Sequence, residues 1–336
     1  MPTPPSELER VIAAMRQRIV NQDAEQMRVM AKRWMGVENA LTDGIDALIS
    51  EAAAASSAGK ALPLEQVYKL EHYKRLLSQA RAEVNKYAKL SYYDIEKRQS
   101  EMIGQGVADA RTAIDATMRD GGVRIDYHRM PVDAVEYTIG YAADGTPLEM
   151  LLRKSYPETI AKLTQALISG NAMGRNPRDT AMEMKAAMGG NLQRALVVAR
   201  TEQIRAYRTA NTDAMKESGV VDGWIWRCAL NDRTCPACLA MDGTMHDLSE
   251  ELNDHPNGRC FKQPTITGME PLLPATGSEW FERQDEETQR AMLGDKKFYA
   301  WKDGLFDFAQ LATIKHDATW GSQVRQSNLS DLVANQ

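Results

Sequence analysis

Three cysteines and one histidine, Cys235, Cys238, His255 and Cys260, stand in a Cys-x2-Cys…His-x4-Cys arrangement. Thiolate and imidazole are the ligands that borderline-soft zinc prefers, and a Cys-x2-Cys step lets two sulfurs from one tight turn reach the same ion. Sixteen residues separate Cys238 from His255, enough for a short hairpin to return the chain with His255 and Cys260 as the second half-site. A closed set of four ligands does structural work, stapling a segment too poor in apolar residues to build its own core. Reduced, unliganded cysteines and disulfides are the competing readings of the same residues. Cys228 is the nearest substitute sulfur and His246 the nearest substitute imidazole, and both also suit ordinary hairpin packing.

Catalytic readings of the segment fit less well. Zinc deaminases use His-x-Glu followed by Pro-Cys-x-x-Cys, but Pro236 lies inside the cysteine pair and no histidine has Glu two positions later. A His-Asn-His type nuclease would need a metal-binding half after Asp254-His255-Pro256, where only His316 follows. Neither a phosphate-binding Gly-x-x-x-x-Gly-Lys loop nor a Gly-x-Ser-x-Gly elbow occurs. The expectation is a protein without catalytic turnover. The alternative is a zinc-dependent DNA-binding or DNA-cleaving protein in which Arg227, Arg233, Arg259 and Lys262 face phosphates around the metal.

The bulk of the chain sets limits on these readings. Its 336 residues, 43% hydrophobic and 26% charged, suffice for two or three folded domains. A net charge of -5 argues against a general nucleic-acid coat, because phosphate affinity rests on clustered Lys and Arg. The first residues carry no basic and apolar run of the secretory kind, and no apolar stretch approaches 18 residues, so a reducing cytoplasm and no membrane are expected.

Periodicity predicts a mainly α protein with a small β element. Ser6 and Glu9 form a capping box, and apolar residues recur at three- and four-residue steps from Leu8 to Leu48, with a weak stretch at Asn21 to Gln26. One long helix, or two in line, should end in a linker from Ala52 to Leu62. A second stripe from Val67 to Met118 places Leu70, Leu77 and Val84, and also Tyr73, Ala80 and Tyr87, seven apart. That seam predicts a helical hairpin, or a coiled-coil-like contact with another subunit, over residues 1–122. Gly104 and Gly106 should weaken the second helix, which Gly121-Gly122 ends.

Residues 123–155 read as a strand-and-loop connection, with Val123 to Tyr127 alternating like a strand and Asp144-Gly145 marking a turn. A helical middle region follows: Pro157 to Ile168, a break from Gly170 to Pro177, Arg178 to Met188, and, after Gly189-Gly190, a helix over 190–218 capped by Gly219. Trp224-Ile225-Trp226 opens the zinc-stapled hairpin at 224–265. Residues 266–336 should hold short helices at about Ser278 to Leu293, Asp295 to Asp303 and Leu305 to Lys315, then a tail after Trp320 that is mobile or docked on a partner.

Several of these pieces occur together in one known family. Ala199-Arg200-Thr201-Glu202-Gln203-Ile204-Arg205-Ala206-Tyr207, then Trp224 and Trp226, Asp232-Arg233-Thr234-Cys235-Pro236-Ala237-Cys238, Asp242-Gly243 and His255-Pro256-Asn257-Gly258-Arg259-Cys260 resemble the Mu-F-like minor head proteins of tailed bacteriophages, also called head morphogenesis proteins. Trp280-Phe281-x-x-Gln284, Gln289, Leu293-Gly294 and Trp301-x-x-Gly304 extend the likeness, which runs from about Tyr156 to Gly304. Gly258 stands where the family often has the first of two cysteines, leaving Cys260 as the one cysteine of that half-site.

The resemblance implies a virion protein in few copies, associated with the portal protein and the capsid interior near the portal vertex. It would act in head assembly and in handling DNA at packaging or ejection, with the major capsid or scaffold protein and, weakly, the genome as further partners. Host cytoplasm during assembly is the implied earlier location. Glu202 and Arg205, three apart on a helix, can pair. Spacing alone leaves a solvated pair open; the likeness points to Arg200, Glu202 and Arg205 bracing that helix against the zinc hairpin.

Overall fold

A computed structural model describes residues 5–55, 64–129, 139–142, 145–153, 156–172, 177–273, 275–317 and 320–333. It is mainly helical with small antiparallel sheets, as the periodicity implies. Three long helices hold most of the helical residues: α1 (Glu7–Ala55), α3 (Glu71–Asp120) and α6 (Pro177–Ser218). The one-turn α2 (Leu64–Val67) precedes α3, while α4 (Leu148–Arg153) and α5 (Tyr156–Ala172) precede α6. The greater part of the expected 52–62 linker, Asp144 of the expected turn, and residues 173–176 of the expected break lie outside the described residues. The chain divides into two compact units, one of Met1–Gln22, Arg98–Ile139 and Thr201–Gln336, the other of Asp23–Lys97 and Gly140–Arg200.

Burial on α1 repeats every eleven residues: Leu8, Ile19, Met30, Leu41 and Ala52 form one row, and Ile12, Asp23, Trp34 and Ile45 the next. On α3 the same step links Tyr73, Val84, Ile95, Gly106 and Thr117. Eleven residues make three turns at 3.67 per turn, a drift of the opposite hand to a heptad, so the sevenfold seam is a local approximation to a longer repeat. Tyr73, Ala80 and Tyr87 are buried as that seam requires, whereas Leu70 and Leu77 sit half-buried on its flank. The weak stretch in α1 falls where Asp23 and Gln26 occupy buried rows, and Arg200 of α6 closes an ion pair on Asp23 there. A single helix therefore continues through it.

Within each unit α1 and α3 run antiparallel. In the first, Asp120 accepts from the backbone N–H groups of Glu7 and Leu8, at 3.0 and 2.7 Å, and Arg18 pairs with Asp109. The Asp120 carboxylate so satisfies donors that a helix start leaves open. In the second, Arg33 pairs with Asp94, Gln79 Nε2 donates to the Ala40 carbonyl, and Trp34 packs edge-on against Tyr87 with ring centres 4.9 Å apart. There α5 joins α3 through a hydrogen bond between the Tyr73 and Thr164 hydroxyls.

Gly106 does more than weaken α3. A Cβ built on it would lie 2.4 Å from the Tyr207 carbonyl oxygen of α6, and Asn211 Nδ2 donates to the Gly106 carbonyl at 3.1 Å. The glycine is the point where two helix backbones touch. Gly106→Ala should therefore destabilise the chain by about 1–3 kcal/mol through overpacking, despite alanine's better helix propensity. A urea midpoint that rises in the variant would contradict this.

Three expectations of local structure are corrected. Val123 to Tyr127 is irregular and pairs with no strand among the described residues; Tyr127 instead turns its hydroxyl to Asp115, at 2.9 Å. Gly189-Gly190 does not end a helix, because α6 runs unbroken from Pro177 to Ser218; the two residues lie mid-helix, and a Cβ on either would meet nothing within 4 Å. Leu305 to Lys315 is not helical: after a short 3-10 turn at Phe308–Leu311, β4 (Ala312–Asp317) pairs with β5 (Gly321–Gln326), so the tail after Trp320 is a strand and a final helix, with Leu332 buried. Thr313 and Ile314 are the β-branched residues that favour this ladder.

The cysteine-bearing part is a three-stranded antiparallel sheet. Its centre is β1 (Val221–Arg227), flanked by β2 (Met245–Asp247) and β3 (Phe261–Ile266), with α7 (Pro236–Met241) between β1 and β2. The short helices α8 (Gly277–Glu282), α9 (Glu286–Leu293), α10 (Asp295–Lys302) and α11 (Leu329–Val333) follow. The helix expected over 278–293 is divided because Asp285 starts α9 anew, its side chain accepting from the Thr288 N–H at 2.8 Å. A shared apolar core unites Trp224, Trp226, Cys228, Leu239, Phe281, Phe298, Phe308, Leu311, Val324 and Leu332. The segment does not close this core by itself: Phe281, Phe298, Phe308 and other apolar residues downstream of it complete the core.

Candidate metal centre

The first half-site sits at the start of α7. Asn231 sets the approach, its side chain accepting from the Arg233 N–H and its carbonyl from the Thr234 N–H, at 3.0 and 2.9 Å. Cys235 then precedes the helix as its cap residue and Pro236 fills the first turn, where a missing N–H costs nothing. Cys238 lies in that same turn and is buried. The tight turn that carries the Cys-x2-Cys pair is the first turn of a helix.

The second half-site is the loop from Asp254 to Cys260, leading into β3. Asn257 at φ 67° turns the chain, and the Gly258 N–H donates to the His255 carbonyl at 2.9 Å. The His255 ring presents Nδ1 to the Pro256 carbonyl at 2.8 Å, which fixes the ring and leaves Nε2 buried with no hydrogen-bond partner. A ligating histidine commonly directs its other ring nitrogen to a carbonyl in this way.

Two ligand triads result, and they share one sulfur. Donor atoms of Cys235, Cys238 and His255 all lie within 4.8 Å of one another, as do those of Cys238, Asp254 and Cys260. A narrow cleft of about 50 Å³ is lined by Cys228, Cys235, Cys238, His255 and Cys260 among others. The residues fit a soft divalent cation: an imidazole nitrogen with no hydrogen bond, 3.7 Å from the Asp254 carboxylate, and a cluster of sulfurs face one narrow cleft. The hydrogen bond from Cys238, reinforced by His255 against burial, draws the Cys235 thiol down to about 4. Burial alone would lower His255, but Cys235 and the Asp254 charge lift it to about 9. Hydrogen bonds with Cys235 and Cys260, then burial, push the Cys238 thiol up, and burial does the same to Cys260.

The two substitute ligands are otherwise engaged. His246 stacks on Trp224, with ring centres 4.3 Å apart and planes 14° from parallel, and contacts the Thr244 hydroxyl at 2.8 Å. Cys228 lies in the shared core; its N–H donates to Asp242 at 2.6 Å, and burial raises its thiol well above the ordinary range.

Arg208 and Asp254 were not legible as site residues. Arg208 Nε donates to the Cys260 carbonyl at 2.8 Å, and Nη2 reaches the Asp254 carboxylate at 2.5 Å and the Gly258 carbonyl at 3.3 Å. Burial would raise Asp254, yet Arg208 followed by His255 outweighs this and holds its carboxyl below the usual range. A carboxylate next to a candidate histidine ligand was the signal that could have drawn attention to Asp254. No sequence pattern joins it to an arginine 46 positions earlier.

Of the three residues expected to brace the helix, Arg205 pairs with buried Glu202 at 2.6 Å and Arg200 pairs with Asp23. The Thr201 hydroxyl accepts from the Asn257 N–H at 3.3 Å, so this helix does reach the metal loop, with Arg208 as its main contact. The four cations proposed for phosphate contact divide. Arg233 is exposed and Arg259 half-buried, but Arg227 is enclosed beside Asp242 and the Ala275 carbonyl. Lys262 lies over the Trp224 ring with its ammonium donating to the Glu250 carbonyl at 2.8 Å. Both side chains are buried in the sheet and engaged with partners there.

These features define a helical protein whose sheet module presents a Cys/His cluster able to hold a metal. The family model described as Phage Mu protein F like protein matches residues 161–262, taking in most of α5, all of α6 and β1, and both half-sites. The family resemblance drawn from the motifs is supported across that segment. No curated protein and no solved structure matches the chain. No described helix is long and apolar enough to cross a membrane.

Proposed function

We propose that the chain is a structural minor head protein of a tailed bacteriophage, which binds the portal protein and the capsid interior during head assembly without catalytic turnover. The observation that carries this reading is the Mu F-like match over 161–262 coinciding with the ligand-bearing module. The module holds zinc through Cys235, Cys238, His255 and Cys260; the ion serves as a staple between two loops, and the long helices offer surfaces to partners. Location in the virion near the portal vertex, after assembly in the host cytoplasm, follows from the same reading, as does a part in DNA packaging or ejection. Contact with major capsid or scaffold protein belongs to it as well.

The test is co-expression of the full chain with the portal protein of its own phage. Co-purification that persists in high salt and after nuclease treatment is expected, and failure to associate with either portal or assembled heads would overturn the reading. The alternative is a zinc-dependent DNA-binding or DNA-cleaving protein, for which Arg233 and Arg259 are the more accessible of the four cations, Arg227 and Lys262 being buried. Metal-dependent nicking of a plasmid, or a DNA mobility shift that salt abolishes, would favour it.

A further inference from the structure

Asp254 competes with Cys260 for a place beside Cys238, since all three present donor atoms within 4.8 Å of one another. A hard carboxylate and a soft thiolate there would make different metal sites. What the carboxylate already holds decides between them. Its two oxygens accept from the His255 N–H at 2.8 Å and the Cys260 N–H at 3.1 Å, and Arg208 approaches one of them at 2.5 Å. The loop is closed tightly around it: a Cβ on Gly258 would lie 2.0–2.2 Å from the carboxylate atoms. Here alone in the loop, glycine is required by a close approach. The side chain of Asp254 is fully buried, and that of Arg208 is 15% exposed.

We propose that Arg208 and Asp254 form an outer clamp that selects the ligand set, keeping the carboxylate out of the coordination sphere so that Cys260 completes a three-sulfur, one-nitrogen site. This rests on the metal reading given above. One guanidinium from α6 grips the loop at three oxygens, those of Asp254, Gly258 and Cys260, while the carboxylate orders the amides on either side of the turn. The positive charge also lets Asp254 remain 3.4 Å from a metal-held Cys238 sulfur, where two negative groups would otherwise repel. Arg208 is a positioning residue: it acts on the ion only through the loop. Without it, the freed carboxylate can turn to the cation and displace the Cys260 sulfur.

Cobalt(II), titrated into the full-length chain in place of zinc, reads this directly, because its near-ultraviolet sulfur-to-metal absorption grows with the number of thiolates bound. The unaltered chain should show a tetrahedral spectrum with three-thiolate intensity. Asp254→Asn should keep that intensity while binding roughly 10–100-fold more weakly, the usual cost of losing an outer partner. Arg208→Gln should bind with the intensity of two thiolates, and Arg208→Lys should recover part of the third. Should Arg208→Gln fail to fold, Asp254→Asn and Cys260→Ser, the latter losing one thiolate, still carry the test. A two-thiolate spectrum in the unaltered chain, or an Arg208→Gln spectrum and affinity equal to it, overturns the clamp and leaves the metal reading standing. If the unaltered chain takes up neither cobalt nor zinc, the metal reading fails and the clamp falls with it.

Discussion

Cys238→Ser should abolish stoichiometric zinc binding and lower the thermal midpoint by more than any other ligand substitution. Cys238 belongs to both triads, so its loss leaves neither complete. Metal binding contributes folding free energy when only the native chain forms the site: with free zinc roughly a thousandfold above the dissociation constant, the contribution is about 4 kcal/mol. The shared aromatic core moderates the outcome. Chelation should therefore lower the midpoint and loosen the Asp254 to Cys260 loop, as seen by hydrogen exchange, without collapsing the helical signal in circular dichroism. Protons compete for the same donors: His255 at about 9 and the raised Cys238 and Cys260 thiols hold theirs at neutral pH, whereas Cys235 at about 4 does not. Zinc affinity should accordingly already be falling at pH 9, where both raised thiols hold their protons, and fall more steeply below about 9 as His255 takes up its own, by about tenfold per unit for each proton displaced, with about three displaced near neutrality. Elemental analysis together with calorimetry in two buffers measures both. A purified chain that melts at the same temperature with and without chelator would refute the staple.

Asp109→Ala should be the most damaging substitution outside the metal module, at about 2–3 kcal/mol. Asp109 is buried on α3 and accepts from the Tyr207 hydroxyl at 3.0 Å and Gln105 Nε2 at 2.7 Å, while Arg18 of α1 pairs with it. Three helices thus meet on one carboxylate. Burial raises its pKa, and Arg18 with the two hydrogen bonds opposes that rise without cancelling it. Removing the carboxylate leaves the fully buried Tyr207 phenol without its acceptor, at a cost above what the bond is worth, and leaves the part-exposed Arg18 guanidinium to water. Asp109→Asn keeps the acceptor oxygen and should cost less than the alanine change; Tyr207→Phe should cost about 1 kcal/mol. Chemical denaturation of the three variants gives the order. Equal stability of Asp109→Ala and the unaltered chain would show that the carboxylate is not the tie among these helices.

The sequence alone determined the helices and the cysteine module, because both are written in short-range spacing. The capping box at Ser6 and Glu9 is formed, with hydrogen bonds of 2.7 and 3.2 Å, and the apolar steps of α1 and α3 are buried. Cys-x2-Cys and His255 converge because a single turn and a single return loop suffice to bring them together. What the tertiary structure decided has long-range causes. Gly189-Gly190 read as a stop, yet α6 runs on through it, since a local cost of about 1 kcal/mol per glycine is small against the packing along a 42-residue helix. Leu305 to Lys315 became strand because a partner strand was available beyond Trp320. Arg227 and Lys262 read as surface cations until Asp242 and Trp224 drew them inside. Arg208 joined the metal loop because a helix and a loop distant in sequence came within hydrogen-bonding distance. Spacing reports what one turn or one strand can reach; which side chains meet across the core depends on how the elements pack, and no local pattern encodes that.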